Sequence, residues 1–173
     1  MSSGTPSTPT QAWVLVALGS NLGASTGLLE QAMEALKRWG PGPFRRSQLW
    51  RSTPVECPSG SPEFVNAAVA FPIPRRGSPE QWLVKAQALE REFGRRPKLV
   101  LNEARPLDLD LIAWGQEIRR TPALTLPHPR AHERRFVLQP LAELVPEFVL
   151  PGQRRTVVQL LADCPVDPNF RPA

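Results

Sequence analysis

Cysteine is scarce in this chain: Cys57 and Cys164 are the only two in 173 residues, and neither belongs to a C-x-x-C pair. That excludes a disulfide framework and a finger-type zinc site, and it makes a reducing compartment, the cytoplasm, the default expectation. Long hydrophobic runs are missing as well. The apolar stretch Trp13–Leu18 falls far short of the roughly 20 residues that a membrane-crossing helix needs, and no basic segment of the secretory-signal kind precedes it. No membrane association is therefore expected. Low-complexity sequence is confined to Met1–Gln11, rich in Ser, Thr and Pro, which reads as a loose tail before a single domain over 12–173. A phosphate-loop signature is also absent. The turn Gly19–Gly23 has neither the Gly-Lys-Ser/Thr ending of a P-loop nor a three-glycine dinucleotide fingerprint.

What is present is positive charge. The net charge is +5 and the pI about 10.2, carried mostly by arginine. A basic surplus favours anionic partners, and arginines scattered along the chain favour a phosphorylated small molecule over nucleic acid or acidic lipid. Against that background two aspartates stand out. In the stretch 105–112, read as a strand, the period of two puts Leu107, Leu109 and Leu111 on one face and Asp108 and Asp110 on the other. Aspartate is disfavoured in strands, so the pair implies a compensating partner. Its carboxylates are close enough to share a cation, and all-oxygen ligands suit Mg²⁺. The plainer alternative is a strand with a solvated acidic face. Arg95, Arg96, Lys98 and Arg105 run directly into this strand. Those cations either neutralise the pair or converge with it on a polyphosphate and its metal.

The rest of the chain supplies a scaffold. Trp13–Leu18 reads as a buried strand, followed by a helix with Leu29, Ala32, Met33, Leu36 and Trp39 at helical spacing and a stop at Gly40–Pro43. Phe44–Ser52 is a second strand, Thr53–Pro62 a proline-rich loop, and Phe64–Phe71 a third strand in which Asn66 is the odd residue: an edge position, or an amide aimed at a ligand. Ser78-Pro-Glu-Gln81 starts a second helix whose buried stripe is Trp82, Ala86, Leu89 and Phe93, with Gly94 as its stop. Gln87 and Glu90 share a polar face of that helix. A hairpin follows Glu117, and His128 sits between two prolines. Phe136–Leu144 is expected to be helical apart from Pro140, Val157–Ala162 forms a short helix that packs on the sheet, and the C-terminus frays. Strand, helix, strand, strand, helix, strand is the split βαβ pattern. It predicts an α+β, ferredoxin-like, antiparallel-rich sheet with both helices on one face and the other face open, plus a C-terminal hairpin and helices.

Four segments, ALGSNLG (17–23), FVNAAVAF (64–71), ARPLDLDLI (104–112) and LPHPRAHERRFVLQPL (126–141), occur in this order. Together they resemble the 6-hydroxymethyl-7,8-dihydropterin pyrophosphokinase family over nearly the whole chain. The resemblance implies a ferredoxin-like enzyme that transfers pyrophosphate from ATP to the hydroxymethyl group of the pterin, leaving AMP, with two Mg²⁺ ions, in folate biosynthesis. It implies small-molecule partners, no nucleic acid and a monomer. Carried over residue by residue, Asp108 and Asp110 resemble the metal-holding carboxylates, and Arg95, Arg105 and Arg134 the cations around the transferred phosphates. Phe64 and Phe136 resemble the aromatics that sandwich the pterin, Asn66 the amide that reads its edge, and Ser52 and Val55 the loop beside it. Gln87, Glu90, Leu111, Thr125 and His128 match the nucleotide side.

Some residues depart from the family pattern. Asn102 stands where many members carry tryptophan in a loop that closes over the pterin, Pro129 replaces an aromatic, Ala123 a basic residue and Trp50 a tyrosine. Two rivals share parts of the pattern. An RNA-binding module of this fold would show stacking aromatics on its central strands and no acidic pair. A palm-type nucleotidyltransferase would want the paired aspartates but would release pyrophosphate, not AMP.

Overall fold

The first strand, β1 (Trp13–Ser20), is apolar along its length because it is covered on both faces. In the computed structural model, which describes residues 12–173, Val14, Val16 and Leu18 point to one side and Trp13, Leu15 and Ala17 to the other. The expected tail Met1–Gln11 lies outside the described residues. Helix α1 (Ser25–Lys37) follows, then two short strands β2 (Arg45–Arg46) and β3 (Trp50–Ser52), β4 (Phe64–Pro72), α2 (Pro79–Glu92) and β5 (Asp108–Trp114). A small hairpin of β6 (Arg119–Arg120) and β7 (Thr125–Leu126), a 3₁₀ turn at Ala131–Glu133, α3 (Arg135–Leu144), α4 (Val157–Asp163) and β8 (Arg171–Pro172) complete the chain.

The sheet runs β5-β1-β4-β3-β8 with β2 also on β4, every pairing antiparallel, which is the ferredoxin-like order. The second strand expected over Phe44–Ser52 is broken in two. Arg46 faces Val69 but Trp50 faces Asn66, a one-residue slip in which Ser47 Oγ accepts from the Ala68 N–H at 2.9 Å.

On one face α1 and α2 bury Leu29, Met33, Leu36, Trp82 and Leu89 against Val14, Val16, Val69, Leu109 and Leu111. The cap on α2 is as expected: Ser78 and Gln81 form a reciprocal capping box, and Gly94, at φ +93°, takes the left-handed position that ends the helix. Gly40 has a different reason to be glycine, since a Cβ there would lie 2.6 Å from the Phe71 ring.

The opposite face is not open. Helix α3 lays Val137, Leu138, Leu141 and Leu144 on Leu15, Ala68, Ala70 and Ile112, and α4 adds Val157 and Leu160. The helical stripe of α3 outweighs the lost hydrogen bond at Pro140, which sits inside the helix. Glu143 anchors the α3 C-terminus to β3 and the turn before it by accepting from Gln48 N at 2.8 Å and Trp50 Nε1 at 2.6 Å. Nor does the C-terminus fray, because β8 adds to β3 and the Phe170 ring stacks on Trp50 at 5.0 Å. Only the end of this face beneath Gly19, Asn66 and Asp108 is left uncovered, and that is where the candidate site lies.

Candidate active site

Strand β5 presents its two aspartates as the alternation requires, with Leu107, Leu109 and Leu111 in the helix-side core and Asp108 and Asp110 on the far side. On the neighbouring β1 the cross-strand positions are small: Gly19 pairs with Asp108, and Ala17 with Asp110. On its other side Gly19 pairs with Asn66 of β4. The result is a pocket floored by Ala17 and Gly19 and flanked by Asp108, Asp110 and Asn66. Phe64, Phe136, Ser52, Val55, Arg105 and Arg134 line the same cavity.

Electrostatics distinguish the two aspartates. Asp108 is neutralised: its Oδ1 lies 2.7 Å from Arg95 Nη1 and its Oδ2 3.0 Å from Arg105 Nε. The Arg105 contact is ionic and not a well-aligned hydrogen bond. Asp110 has no hydrogen-bonding or ion-pair partner among the described residues. Burial first, then the charges of Asp108 and Glu90, push its carboxyl up to about 7, while Arg105 and Arg134 offset part of the shift. A buried carboxyl group with no cation against it, beside a second carboxyl group, is the condition that a bound divalent cation relieves. No group of three or more potential metal-binding side chains occurs among the described residues. Any ion held here would complete its coordination with water or substrate oxygens, which is how Mg²⁺ is ordinarily bound beside phosphates.

Arg134, in the same pocket, has no carboxylate partner among the described residues. It lies over the Phe136 ring at 5.5 Å, and burial together with nearby Arg130 lowers its pKa from the usual arginine value. Arg105 likewise lies 5.6 Å from the Phe64 ring centre. Beyond Arg105 a second hollow opens, lined by Arg95, Arg96 and Lys98, so the acidic pair sits between an aromatic slot and a cationic trough.

Asn66, buried near the start of β4, donates through Nδ2 to Ser52 Oγ at 2.8 Å. That bond and a longer one to Trp50 O at 3.4 Å hold the amide in the pocket wall, on a strand inside the sheet and not at its edge.

The five residues expected on the nucleotide side are less gathered, and none of them lines the pocket. Glu90 is buried, not on a polar face. Its Oε1 accepts from Leu109 N at 2.7 Å and pairs with Arg95 at 2.6 Å, so it ties α2 to β5 and steadies the arginine that holds Asp108. Burial nevertheless raises its pKa, with Asp108 adding to the effect and the Leu109 N–H and Arg95 opposing it. Gln87 and Thr125 are exposed, and Leu111 is in the core. His128 is held against β5 by its N–H to Ile112 O at 2.9 Å. Its Nδ1 accepts from the Arg130 N–H at 3.2 Å, which assigns the ring proton to Nε2. Burial foremost, then Arg134, push its pKa down to about 4, so the imidazole is neutral at physiological pH.

Two residues that the sequence reading passed over, Asn21 and Glu56, also shape the site, together with Asn102, noted there only as a departure from the family pattern. Asn21, buried, exchanges bonds with the Arg105 backbone (its N–H to Arg105 O at 3.1 Å, Arg105 N to its Oδ1 at 2.9 Å) and donates to Pro62 O at 3.4 Å, so it joins the roots of two loops. Its signal was its place in the glycine turn, where a buried asparagine needs partners. Glu56 and Asn102 both sit at φ +54°. Asn102 Nδ2 donates to Glu56 O at 2.7 Å and the Glu56 carboxylate pairs with Arg130 at 2.8 Å, closing the pocket mouth with polar contacts. No local pattern marks a contact across 46 residues.

The fold is of the ferredoxin-like α+β class, and its one uncovered sheet end carries a pocket that joins an acidic pair, two aromatic rings and an amide. The profile of the family described as 7,8-dihydro-6-hydroxymethylpterin-pyrophosphokinase (HPPK) matches residues 15–146. The chain is 37% identical over 158 residues to the 2-amino-4-hydroxy-6-hydroxymethyldihydropteridine pyrophosphokinase of Pseudomonas aeruginosa, covering 89% of this chain and 93% of that protein. It is 34% identical over 162 residues to the Synechocystis protein of the same name (90% and 81%). It is 35% identical over 138 residues to the folic acid synthesis protein fol1 of Pneumocystis carinii, covering 80% of this chain but only 18% of that longer protein. Among solved structures, Plasmodium falciparum HPPK-DHPS with SDX-DHP superimposes at a TM-score of 0.71 with 11% identity, over 94% of this chain and 48% of the other. That likeness shows the fold alone, and this chain spans about half of the solved protein. The chain belongs to the 7,8-dihydro-6-hydroxymethylpterin-pyrophosphokinase family.

Proposed function

We propose that this chain transfers the pyrophosphoryl group of ATP to the hydroxymethyl oxygen of 6-hydroxymethyl-7,8-dihydropterin, giving the pterin diphosphate and AMP in folate biosynthesis. The observation that carries this reading is one cavity holding the Asp108/Asp110 pair, the Phe64 and Phe136 rings and Asn66, next to a trough of Arg95, Arg96, Lys98 and Arg105. A flat heteroaromatic ring suits stacking on phenylalanine, and the Asn66 amide with Ser52 and the Val55 backbone matches its donor-acceptor edge. The triphosphate suits the trough, where Arg95 and Arg105 neutralise charge, with Arg134 adding to them from the cavity side and the neutral His128 offering Nε2–H as a phosphate donor. Gln87, Glu90, Leu111 and Thr125 flank the nucleotide side, Glu90 through Arg95.

The hydroxymethyl oxygen attacks the β-phosphorus. The bond from that phosphorus to the α,β-bridging oxygen breaks, AMP leaves with the electron pair, and the hydroxyl proton is lost to solvent. Such transfers have a loose transition state in most analyses, so the protein's part is to position reactants and neutralise charge. Asp108 and Asp110 fit a pair of Mg²⁺ ions, which when bound would neutralise phosphate oxygens and acidify the attacking hydroxyl. In this reading the chain acts as a monomer on small molecules and not on nucleic acid. Both cysteines are free thiols, as a cytoplasmic setting keeps them, and among the described residues no helix is long and apolar enough to cross a membrane.

The deciding experiment incubates the protein with ATP, Mg²⁺ and the hydroxymethyldihydropterin and follows the ATP-derived product. AMP together with the pterin diphosphate is expected. Release of pyrophosphate instead, as from a nucleotidyltransferase, or no pterin-dependent turnover, overturns the reading.

A further inference from the structure

The loop between β3 and β4, residues 53–63, carries Val55 on the pocket wall and is flanked by two more wall residues, Ser52 and Phe64. Both of its ends are held by the last ten residues of the chain. At the first end the Thr53 backbone N–H and Oγ1–H both donate to Asp167 Oδ2, at 3.1 and 2.9 Å. At the other end Arg171 makes a two-pronged ion pair with Glu63, Nη1 to Oε1 at 3.0 Å and Nη2 to Oε2 at 2.9 Å. Between these points the C-terminal segment is itself fixed to β3. The Phe170 ring stacks on Trp50 at 5.0 Å and 9° interplanar angle, Arg171 pairs with Arg51 and Pro172 with Trp50, and Ala173 N donates to Leu49 O at 2.9 Å.

We propose that Asp167 is a positioning residue for the pterin pocket: it sets the start of the 53–63 loop, and with it Ser52 and Val55, from a segment that never enters the cavity. The inference rests on the pterin reading of that pocket. Two features make Asp167 the important point and Arg171 the auxiliary one. The Thr53–Asp167 contact is half-buried and uses two donors on one carboxylate oxygen, one of them a backbone N–H with no other partner assigned. The Arg171–Glu63 pair is exposed, where ion pairs contribute little. The geometry also explains why Asn66 is so well placed. Its Nδ2 bonds to Ser52 Oγ and Trp50 O, so whatever fixes the register of 50–53 fixes the amide as well.

The test compares the full-length protein with Asp167→Ala and Asp167→Asn, measuring pterin and ATP affinities separately by titration, thermal midpoint, and amide exchange over residues 50–57. Asp167→Ala is expected to weaken pterin binding about tenfold, the equivalent of one charge-assisted bond, with ATP affinity and midpoint nearly unchanged and exchange at Thr53 accelerated. Asp167→Asn keeps one acceptor oxygen and should lose less. If Asp167→Ala does not fold, Asp167→Asn alone decides. Unaltered pterin affinity and unaltered exchange in a folded variant overturn the proposal, as does an equal loss of both ligands. A wild-type protein that binds ATP but no pterin would sink the pocket assignment instead, and the exchange arm would still report whether Asp167 orders the loop.

Discussion

Asp110 carries the sharpest consequence at the scale of single residues. Its carboxyl has no partner among the described residues and is pushed up to about 7, whereas in the unfolded chain it ionises near 3.8. The folded state therefore holds a proton that the unfolded state has released, and without metal this group lowers stability as pH rises from about 4 to 7. Asp110→Asn is expected to lose turnover by about a thousandfold or more, since metal-assisted charge neutralisation is worth several kcal/mol. The same variant, free of metal, should melt higher than wild type at pH 8 and similarly at pH 4. A variant with normal AMP production, or with no gain at pH 8, would contradict the assignment. Asn66 and Phe136 make a second pair of tests. Replacing either with alanine should weaken pterin binding about tenfold or more and ATP binding little. Equal losses for both ligands in calorimetric titrations would count against their placement on the ring.

At the scale of elements, the link between α2 and β5 holds the charged side of the site. Glu90 was read from the sequence as part of a polar helix face, yet it is buried and bonded to Leu109 N and Arg95. Helical spacing identified the stripe of Trp82, Ala86 and Leu89 correctly but could not show that the helix end leans onto the start of β5. Glu90→Ala would leave the Leu109 N–H and one side of Arg95 unpaired. The expected cost is about 1–3 kcal/mol, or roughly 2–4 °C in melting temperature per kcal/mol for a domain of this size, with slower turnover as Arg95 is freed from its position. An unchanged midpoint would mean that water replaces the carboxylate at no cost. Helix α3 teaches the complementary lesson. Its proline argued for a break, but its apolar stripe faced an uncovered half-sheet, and burial there overrode local propensity.

The whole molecule responds to pH through His128 in the opposite sense to Asp110. Burial lowers its pKa to about 4, so the unfolded chain takes up a proton near 6.5 that the folded chain refuses. Stability contributed by this residue is present above about 6.5 and is lost as pH falls toward 4. Denaturant unfolding at pH 7 and pH 4.5 should show a smaller loss for His128→Gln than for wild type, by an amount on the order of 1–3 kcal/mol. Parallel losses would show that the ring is solvated. A simpler expectation concerns the Ser/Thr/Pro-rich start of the chain: removing Met1–Gln11 should leave AMP production unchanged, and a large drop in rate would assign those residues a part in catalysis.

The order of strands and helices, the two-faced β5 with its aspartates on one side, and the capping box of α2 are local matters. Each depends on residue spacing within one element, and so each was legible in the sequence alone. The resemblance in four ordered segments likewise gathered Asp108, Asp110, Asn66, Phe64 and Phe136 in advance of any coordinates. What only the tertiary structure decided are contacts between segments far apart in the chain: α3 over the second sheet face, Asn102 reaching Glu56, Asn21 joining two loops, and the C-terminal segment holding Thr53. The physical reason is common to all of them. Such contacts satisfy buried polar groups or cover apolar surface that exists only once the sheet has formed, and no periodicity within a segment encodes the partner it will meet.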